Sequence, residues 1–325
     1  MTTDLKTRIL IDFNWLYMRS LFKPKINATD YRFIDLSTWQ KEILLGVLDF
    51  ALEAMIHEWK NVHAEVILAC DMKTPNWRKF QYPLYKADRV PNPNVPWEKV
   101  LYTLDEFKQR VRAFLPLNIL EVHGAEADDI IAVLTAQSAE RGQSVYIQSA
   151  DADYLQLLKY PNVHVSRPPT PGFVTFPKEL KIAGCNTMCQ DVEHFLELSV
   201  LTGQGGKDNV FNIKTAASED WTGRRKPPFG VKTAQKLLDK GTLQDFVKKQ
   251  GLCHRYRRNR MLIDFDYIPP EIHDSILRKT AEESERLCRV NLPGFLSVFN
   301  WPDAGEISDR YGHLVTTLER VQCTA

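Results

Sequence analysis

Carboxylates sit where the apolar runs of the first half of this chain end. Asp12 closes ILID, Asp71 follows VILAC, Glu126, Asp128 and Asp129 stand together in GAEADDIIAVL, Asp151 and Asp153 in QSADADYLQL, and Asp208 in GKDN. If the runs are neighbouring parallel strands, these acids meet along one sheet edge, where open α/β folds keep their active sites. So many like charges repel unless divalent cations neutralise them, and hard oxygen donors suit Mg²⁺, with Mn²⁺ as its substitute. The chemistry implied is metal-dependent phosphate cleavage, with two ions about 3.5–4 Å apart. Taken singly, each acid also reads as a helix cap. Capping does not explain why several strands deliver acids to the same end.

Basic residues accompany them. Arg78, Lys79, Lys86 and Arg89 follow Asp71 within a stretch from Met72 to Trp97 that holds five prolines. This stretch is expected to be a long exposed loop or arch, its cations orienting a scissile phosphate and Trp77, Tyr82 and Tyr85 stacking on an unpaired base. The alternative is a mobile surface loop with ordinary charges, or one that docks a partner. The histidines in this half, His57, His63, His123 and His164, are expected in the core or on the surface rather than as general bases.

The elements that must position these groups alternate in type. RILIDFN, AEVILACD, LNILEV and SVYIQS read as strands. Helical periods run from about Thr38 to Lys60, Trp97 to Phe114 and Glu126 to Arg141, with a short helix after Asp153. Such alternation predicts a mainly parallel central sheet flanked by helices. After a basic Gly- and Pro-containing stretch from about Gly203 to Phe229, the pattern turns helical through KTAQKLLDK, LQDFVKKQG and HRYRRNRMLIDF. The expected division is a catalytic α/β domain over 1–202, with the arch at about 72–97, and a smaller α-helical module over 203–325.

Charge separates along the chain in the same way. The net charge is +1 over 325 residues, yet residues 221–260 carry 12 Lys+Arg against 2 Asp+Glu, so this stretch is +10 and the remainder −9. A basic module beside an acid-rich one suits a protein that holds phosphates with one part and metals with the other. A solvated basic helical surface is the plainer reading. No apolar run reaches the length of a membrane span and the amino terminus lacks a signal-type apolar region, so no membrane association, a cytoplasmic location and a monomer are expected. The six cysteines show no disulfide framework. Cys185 and Cys189, with His194 nearby, lack the second pair that a structural zinc site needs.

In order and spacing, LIDFN, ILACD, GAEADDIIAVL, QSADADYLQL, GKDN and FGVKTAQKLL resemble the metal-dependent 5′ nucleases, the family of flap endonucleases and 5′-3′ exonucleases with a PIN-like core. RYRRNRMLIDFDYIPPEI and KYPNV resemble its phage ribonuclease H branch. The resemblance implies metal ligation by Asp12, Asp71, Glu126, Asp128, Asp151, Asp153 and Asp208, with Asp129 behind them as a weaker ligand or support. It implies catalytic roles for Arg78, Lys79 and Lys86. It also implies a helix-three-turn-helix at Pro228–Leu238 that grips duplex phosphates through Gly230, Lys232 and Thr233, joined by Arg89, Arg224, Arg225, Arg257, Arg258 and Arg260. RNA–DNA hybrids, 5′ flaps and duplex DNA become the expected substrates, two Mg²⁺ ions the cofactors, and a sliding clamp and a single-strand-binding protein the candidate partners. A phage protein working in bacterial cytoplasm, in RNA primer removal during replication, is the setting it implies. The chain departs from the pattern at Gly205, where an acid is usual three residues before Asp208, and in the reduced turn Phe229-Gly230-Val231. Two rival readings stay open: a related nuclease restricted to RNA, and a non-catalytic nucleic-acid-binding paralogue that keeps the fold.

Overall fold

The computed structural model describes residues 7–23, 26, 34–58, 64–72, 74–214, 229–286 and 290–322. Five strands, β1 (Thr7–Asp12), β2 (Ala64–Cys70), β3 (Leu117–Glu121), β4 (Val145–Gln148) and β5 (Val163–Ser166), form one sheet in the order β3-β2-β1-β4-β5, all parallel. Every residue of β1 is buried. This is why its sequence is a continuous apolar run rather than an alternating one, since a parallel strand is covered on both faces.

The faces still alternate in what they touch. Ile9, Ile11, Val66 and Leu68 enter one core with Trp39, Leu48 and Phe107, while Leu10, Ile67, Ala69 and Ile147 enter the other with Ile130, Leu134 and Leu198. Helix Leu36–Glu58 and helix Trp97–Phe114 cover the first face. The latter buries Val100, Leu104, Phe107 and Val111, a helical spacing that lays one stripe on the sheet. Helix Ala127–Glu140 covers the second face.

Beyond the sheet, the carboxyl-terminal residues form a helical module whose helices pack on both cores. Helices Val231–Asp239 and Leu243–Lys249 share the second core with Phe195 and Leu198 of helix Val192–Thr202. Leu292, Phe295, Trp301, Tyr311 and Leu314, from helices Leu292–Phe299 and Ala304–Gln322 and the turn between them, return to the first core beside Ile9 and Phe13. The amphipathic face of the last helices finds its apolar partner on the amino-terminal sheet. A hairpin of β6 (Lys178–Ile182) and β7 (Cys185–Cys189) stands apart from the main sheet, its turn made by Ala183 and Gly184 with φ of 45° and 84°. Among the described residues, no helix is long and apolar enough to cross a membrane.

Candidate metal centre and its cationic rim

The chain reverses its direction of travel across the sheet at β1: it moves outward to β2 and β3, then crosses back to β4 on the other side. The crevice between the carboxyl ends of β1 and β4 is thus the topological switch point. Asp12 and the loop after β4 face each other there. Ser149 Oγ donates to Asp12 Oδ2 at 2.8 Å, and Asp12 Oδ1 accepts from the Trp15 amide at 3.0 Å as the cap of helix Phe13–Leu21. Asp71 stands just past β2, held by its amide on Asn14 Oδ1 at 3.0 Å and by Oδ1 accepting the Ala127 amide at 2.8 Å. Glu126 caps helix Ala127–Glu140, Asp128 lies in its first turn, and Asp151 caps the 3₁₀ helix Ala152–Lys159 by accepting the Asp153 amide at 3.1 Å. Capping and convergence are therefore the same arrangement, because a cap at the start of each helix is also a carboxylate at the end of each strand.

Asp12, Asp71, Glu126, Asp128 and Asp151 line a single cavity of about 130 Å³ with Lys86, Arg89 and Lys207. Its electrostatics are uneven. Burial pushes the Asp12 carboxyl up to about 6, and loss of water and neighbouring carboxylates push Asp71 and Asp128 up as well. Glu126 is buried too, yet Lys86 and Arg78 overcome that and hold it below the ordinary range. Burial pushes Asp153 to about 6 in spite of Lys207, whereas the same lysine outweighs burial at Asp151 and holds it low. Asp12, Asp71 and Asp128 are left without enough positive charge, and oxygens of Glu126, Asp128 and Asp129 lie within 4.8 Å of one another, so the cavity offers a donor set that fits a hard divalent cation.

Asp208 arrives from a different direction. Helix Val192–Thr202 ends at Gly203, whose φ is 67° and whose missing Cβ would lie 2.2 Å from the Val210 carbonyl oxygen, so only glycine makes this turn. The loop it starts is fastened to the segment after β2: the Lys86 amide donates to the Asp208 carbonyl at 3.0 Å, and Asn209 Nδ2 to the Leu84 carbonyl at 3.2 Å. Asp208 Oδ1 accepts from Arg89 at 2.8 Å, and Asp153 accepts from Gln204 at 2.6 Å and from Lys207 at 2.7 Å.

The comparisons with known proteins agree with this geometry. A family described as the 5′-3′ exonuclease, N-terminal resolvase-like domain, matches residues 7–186, and one described as the T4 RNase H carboxyl-terminal domain matches residues 196–289. The chain belongs to the 5′-3′ exonuclease family. It is a nuclease with that family's sheet. Ribonuclease H of Enterobacteria phage T4 is 27% identical over 277 residues, 82% of this chain and 84% of the relative. The thermostable DNA polymerase I of Thermus aquaticus is 30% identical over 233 residues, of which this chain spans 25% of the polymerase. Flap endonuclease Xni of Serratia proteamaculans is 36% identical over 117 residues, 35% of this chain and 43% of the relative. Among solved structures, the T5 D15 protein co-crystallised with metal ions shares the fold with a TM-score of 0.56 at 17% identity, covering 86% of this chain and 99% of that one.

Within this 5′-3′ exonuclease, several residues expected to meet the substrate do not. Arg78 is 1% exposed: Nε donates to the Leu262 carbonyl at 3.0 Å, and the two terminal nitrogens lie 3.0 Å from Glu126 and 2.8 Å from Asp129. It is a buried positioning cation, not a passage-lining one. Trp77, Tyr82 and Tyr85 are also buried. Trp77 donates from Nε1 to Asp129 at 3.0 Å, Tyr85 donates its hydroxyl to Glu126 at 3.0 Å, and Tyr82 packs with Val200, Val210 and Leu262. These aromatics anchor the segment from Trp77 to Tyr85, which holds a short helix, Trp77–Gln81, whereas residues 87–91 are exposed. Asp129 is fully buried, its Oδ2 also accepting the Glu126 amide at 2.9 Å.

The cations that do face the cleft are Lys79, Lys86 and Arg89, which line an adjoining cavity of about 340 Å³ with Asp71 and Glu126. Exposed Phe80 beside Lys79 is the aromatic that sequence reading passed over. In the basic segment, Arg257 is exposed, but Arg258 is buried against Asn259 and the Phe211 carbonyl, and Arg260 is tied to Glu197 and Asp264. Helical phase explains the difference, since one face of Cys253–Ile263 must pack. Gly230 caps helix Val231–Asp239, with Lys232 and Thr233 exposed in its first turn. Arg224 and Arg225 lie outside the described residues. The expectation for His57 and His164 fits their places in an aromatic cluster with Tyr146 and Phe173.

Proposed function

We propose that this nuclease is structure-specific: it hydrolyses phosphodiesters at 5′ ends in RNA–DNA hybrids and in 5′-flap or duplex DNA, with Mg²⁺ as its cofactor, leaving a 5′-phosphate. The observation that carries the reading is the convergence of Asp12, Asp71, Glu126, Asp128 and Asp151 on one cavity at the switch point, with Lys86 and Arg89 on its rim. Mg²⁺ bound there supplies activated water and neutralises charge on the phosphoryl oxygens. The acids fall into two groups, one at Asp12, Asp71, Glu126 and Asp128, the other at Asp151, Asp153 and Asp208, which supports seats for two ions. Lys79, Lys86 and Arg89 are placed to hold the scissile phosphate in the cleft and offset the charge that grows on it.

Duplex is held at a distance from the cleft. A cavity of about 680 Å³ runs from Asp151 and Asp153 to Phe229 and Gly230, where backbone amides and the helix dipole of Val231–Asp239 attract a phosphate, helped by Lys232 and Thr233. Phosphate contacts position the strand without reading sequence, so discrimination should follow end structure rather than base order. The relatives named a ribonuclease H and a flap endonuclease support the two substrate classes. A T5 flap endonuclease in a complex with DNA and metal ions, similar in fold with a TM-score of 0.53 at 15% identity, supports the DNA side. A monomer in bacterial cytoplasm, in contact with a sliding clamp and a single-strand-binding protein, belongs to the same reading. The test is a panel of internally labelled RNA–DNA hybrid, 5′ flap, nicked duplex and covalently closed circular duplex in Mg²⁺. Cleavage of hybrid and flap but not of the circle is expected. Activity on RNA alone would move the reading to an RNA-restricted nuclease.

A further inference from the structure

Three carboxylates in the second group share a cation that the protein brings with it. Lys207 Nζ lies 2.5 Å from Asp151, 2.7 Å from Asp153 and 3.9 Å from Asp208. An ammonium carries three donors, and here they face three acids from two separate elements. Two residues earlier stands Gly205, where the family pattern has a fourth acid. Its backbone is not in a conformation that demands glycine, and the Cβ of a side chain there would meet Phe211 at an ordinary 3.5 Å. Space therefore does not account for the missing carboxylate. The loop has one acid fewer and presents a lysine to the remaining three, so part of their charge is offset without metal.

The first group differs. Among the described residues, no ammonium or guanidinium lies within ion-pair distance of Asp12 or Asp71, and Arg78 and Lys86 are committed to the neighbouring Glu126. Within the first group Glu126 is thus paired while Asp12 and Asp71 are not, whereas Asp151, Asp153 and Asp208 all share Lys207.

We propose that Lys207 is a resident cation in the second seat, so that the resting protein takes one divalent ion tightly, between Asp12 and Asp71, and a second only by displacing the lysine. This rests on the reading of the cleft as a metal centre given above. It makes the second seat a competition between a tethered ammonium and a dication, which the strand phosphates can bias by drawing Lys207 away.

The experiment is calorimetric titration of Mn²⁺ into the full chain at neutral pH without nucleic acid, for wild type, Lys207→Met, Lys207→Gln and Asp12→Asn, with circular dichroism to confirm folding. Wild type should bind one Mn²⁺ tightly, and both Lys207 variants should gain a second ion bound about tenfold tighter or better, as expected from removing a unit charge ~4 Å away. Asp12→Asn should lose the tight ion. If the Lys207 variants titrate as wild type does, the resident-cation inference is wrong while the metal reading stands. If no protein takes Mn²⁺ tightly, or Asp12→Asn keeps the tight ion, the metal reading fails and this inference with it.

Discussion

Replacing Arg78 by methionine keeps most of the side-chain volume and removes the charge, so it isolates what the buried guanidinium does. Arg78 is 1% exposed and Asp129 is fully buried, 2.8 Å from it, with Glu126 at 3.0 Å on the other nitrogen. Removing one partner of a buried pair costs about 3–5 kcal/mol, because the remaining charge has neither water nor counterion. Glu126 keeps Lys86, so the loss should fall within that range rather than double it. With an unfolding entropy of roughly 2.1 cal/mol/K per residue, this corresponds to a drop of roughly 5 °C in melting temperature. Urea unfolding followed by circular dichroism gives the free energy directly. Duplex affinity should stay within about twofold of wild type when measured where the variant is folded, because a residue without surface makes no phosphate contact and leaves the counterion count unchanged. A stability loss below about 1 kcal/mol together with a large loss of duplex affinity would refute this placement and return Arg78 to the substrate passage.

Two further outcomes follow from the charges. Arg257→Gln, at an exposed position, should weaken duplex binding and reduce the slope of log affinity against log salt by about one, while Arg258→Gln, buried on the same helix, should lower stability; fluorescence anisotropy at several salt concentrations checks the pair, and equal salt slopes would contradict it. Asp12 and Asp153 are each pushed from 3.8 to about 6 by burial, so without metal these groups favour the folded state at low pH and lose that contribution as pH rises from 3.8 to about 6. Since ligation needs the carboxylates ionised, Mn²⁺ affinity should fall by about tenfold per pH unit for each proton displaced below pH ~6, and metal should raise the melting temperature more at neutral pH than in acid. Constant affinity across that range would sink the assignment of these two groups as ligands.

Much of the catalytic half was legible in the sequence, because a parallel strand buried on both faces must be a run of Ile, Val and Leu, and an Asp directly after it marks the strand end. The helix expected from Trp97 to Phe114 forms over those residues, and the expected strand sequences contain β2 to β4 and all of β1 but its first residue. The segment after β2 misled for the opposite reason. Five prolines and scattered cations look like solvent-exposed chain, whereas Trp77, Tyr82 and Tyr85 had enough apolar area to require burial, a signal available in the sequence but outweighed by the prolines. Helical pattern showed that the last helices form but not that their apolar faces return to β1 and β2. Short β5 and the β6–β7 hairpin carry too few apolar residues to announce themselves, with most of β7 exposed. Lys207 was visible only as a residue beside Asp208; that its ammonium reaches Asp151 and Asp153 depends on the turn at Gly203, which is a three-dimensional fact.

The central claim is that carboxylates at the strand ends hold the divalent cation that makes phosphodiester cleavage possible. Asp71 tests it most directly, since it lies open at the cavity and its backbone contacts survive an amide side chain. Single-turnover cleavage of a 5′-flap substrate by wild type and Asp71→Asn should be measured in Mg²⁺ and in chelator, with duplex affinity recorded in parallel. The account predicts cleavage only by wild type in Mg²⁺, a fall of about 10³-fold or more for Asp71→Asn, in line with the loss of a transition-state electrostatic contact, and duplex affinity close to wild type. Full cleavage by Asp71→Asn, or cleavage by wild type in chelator, would contradict it.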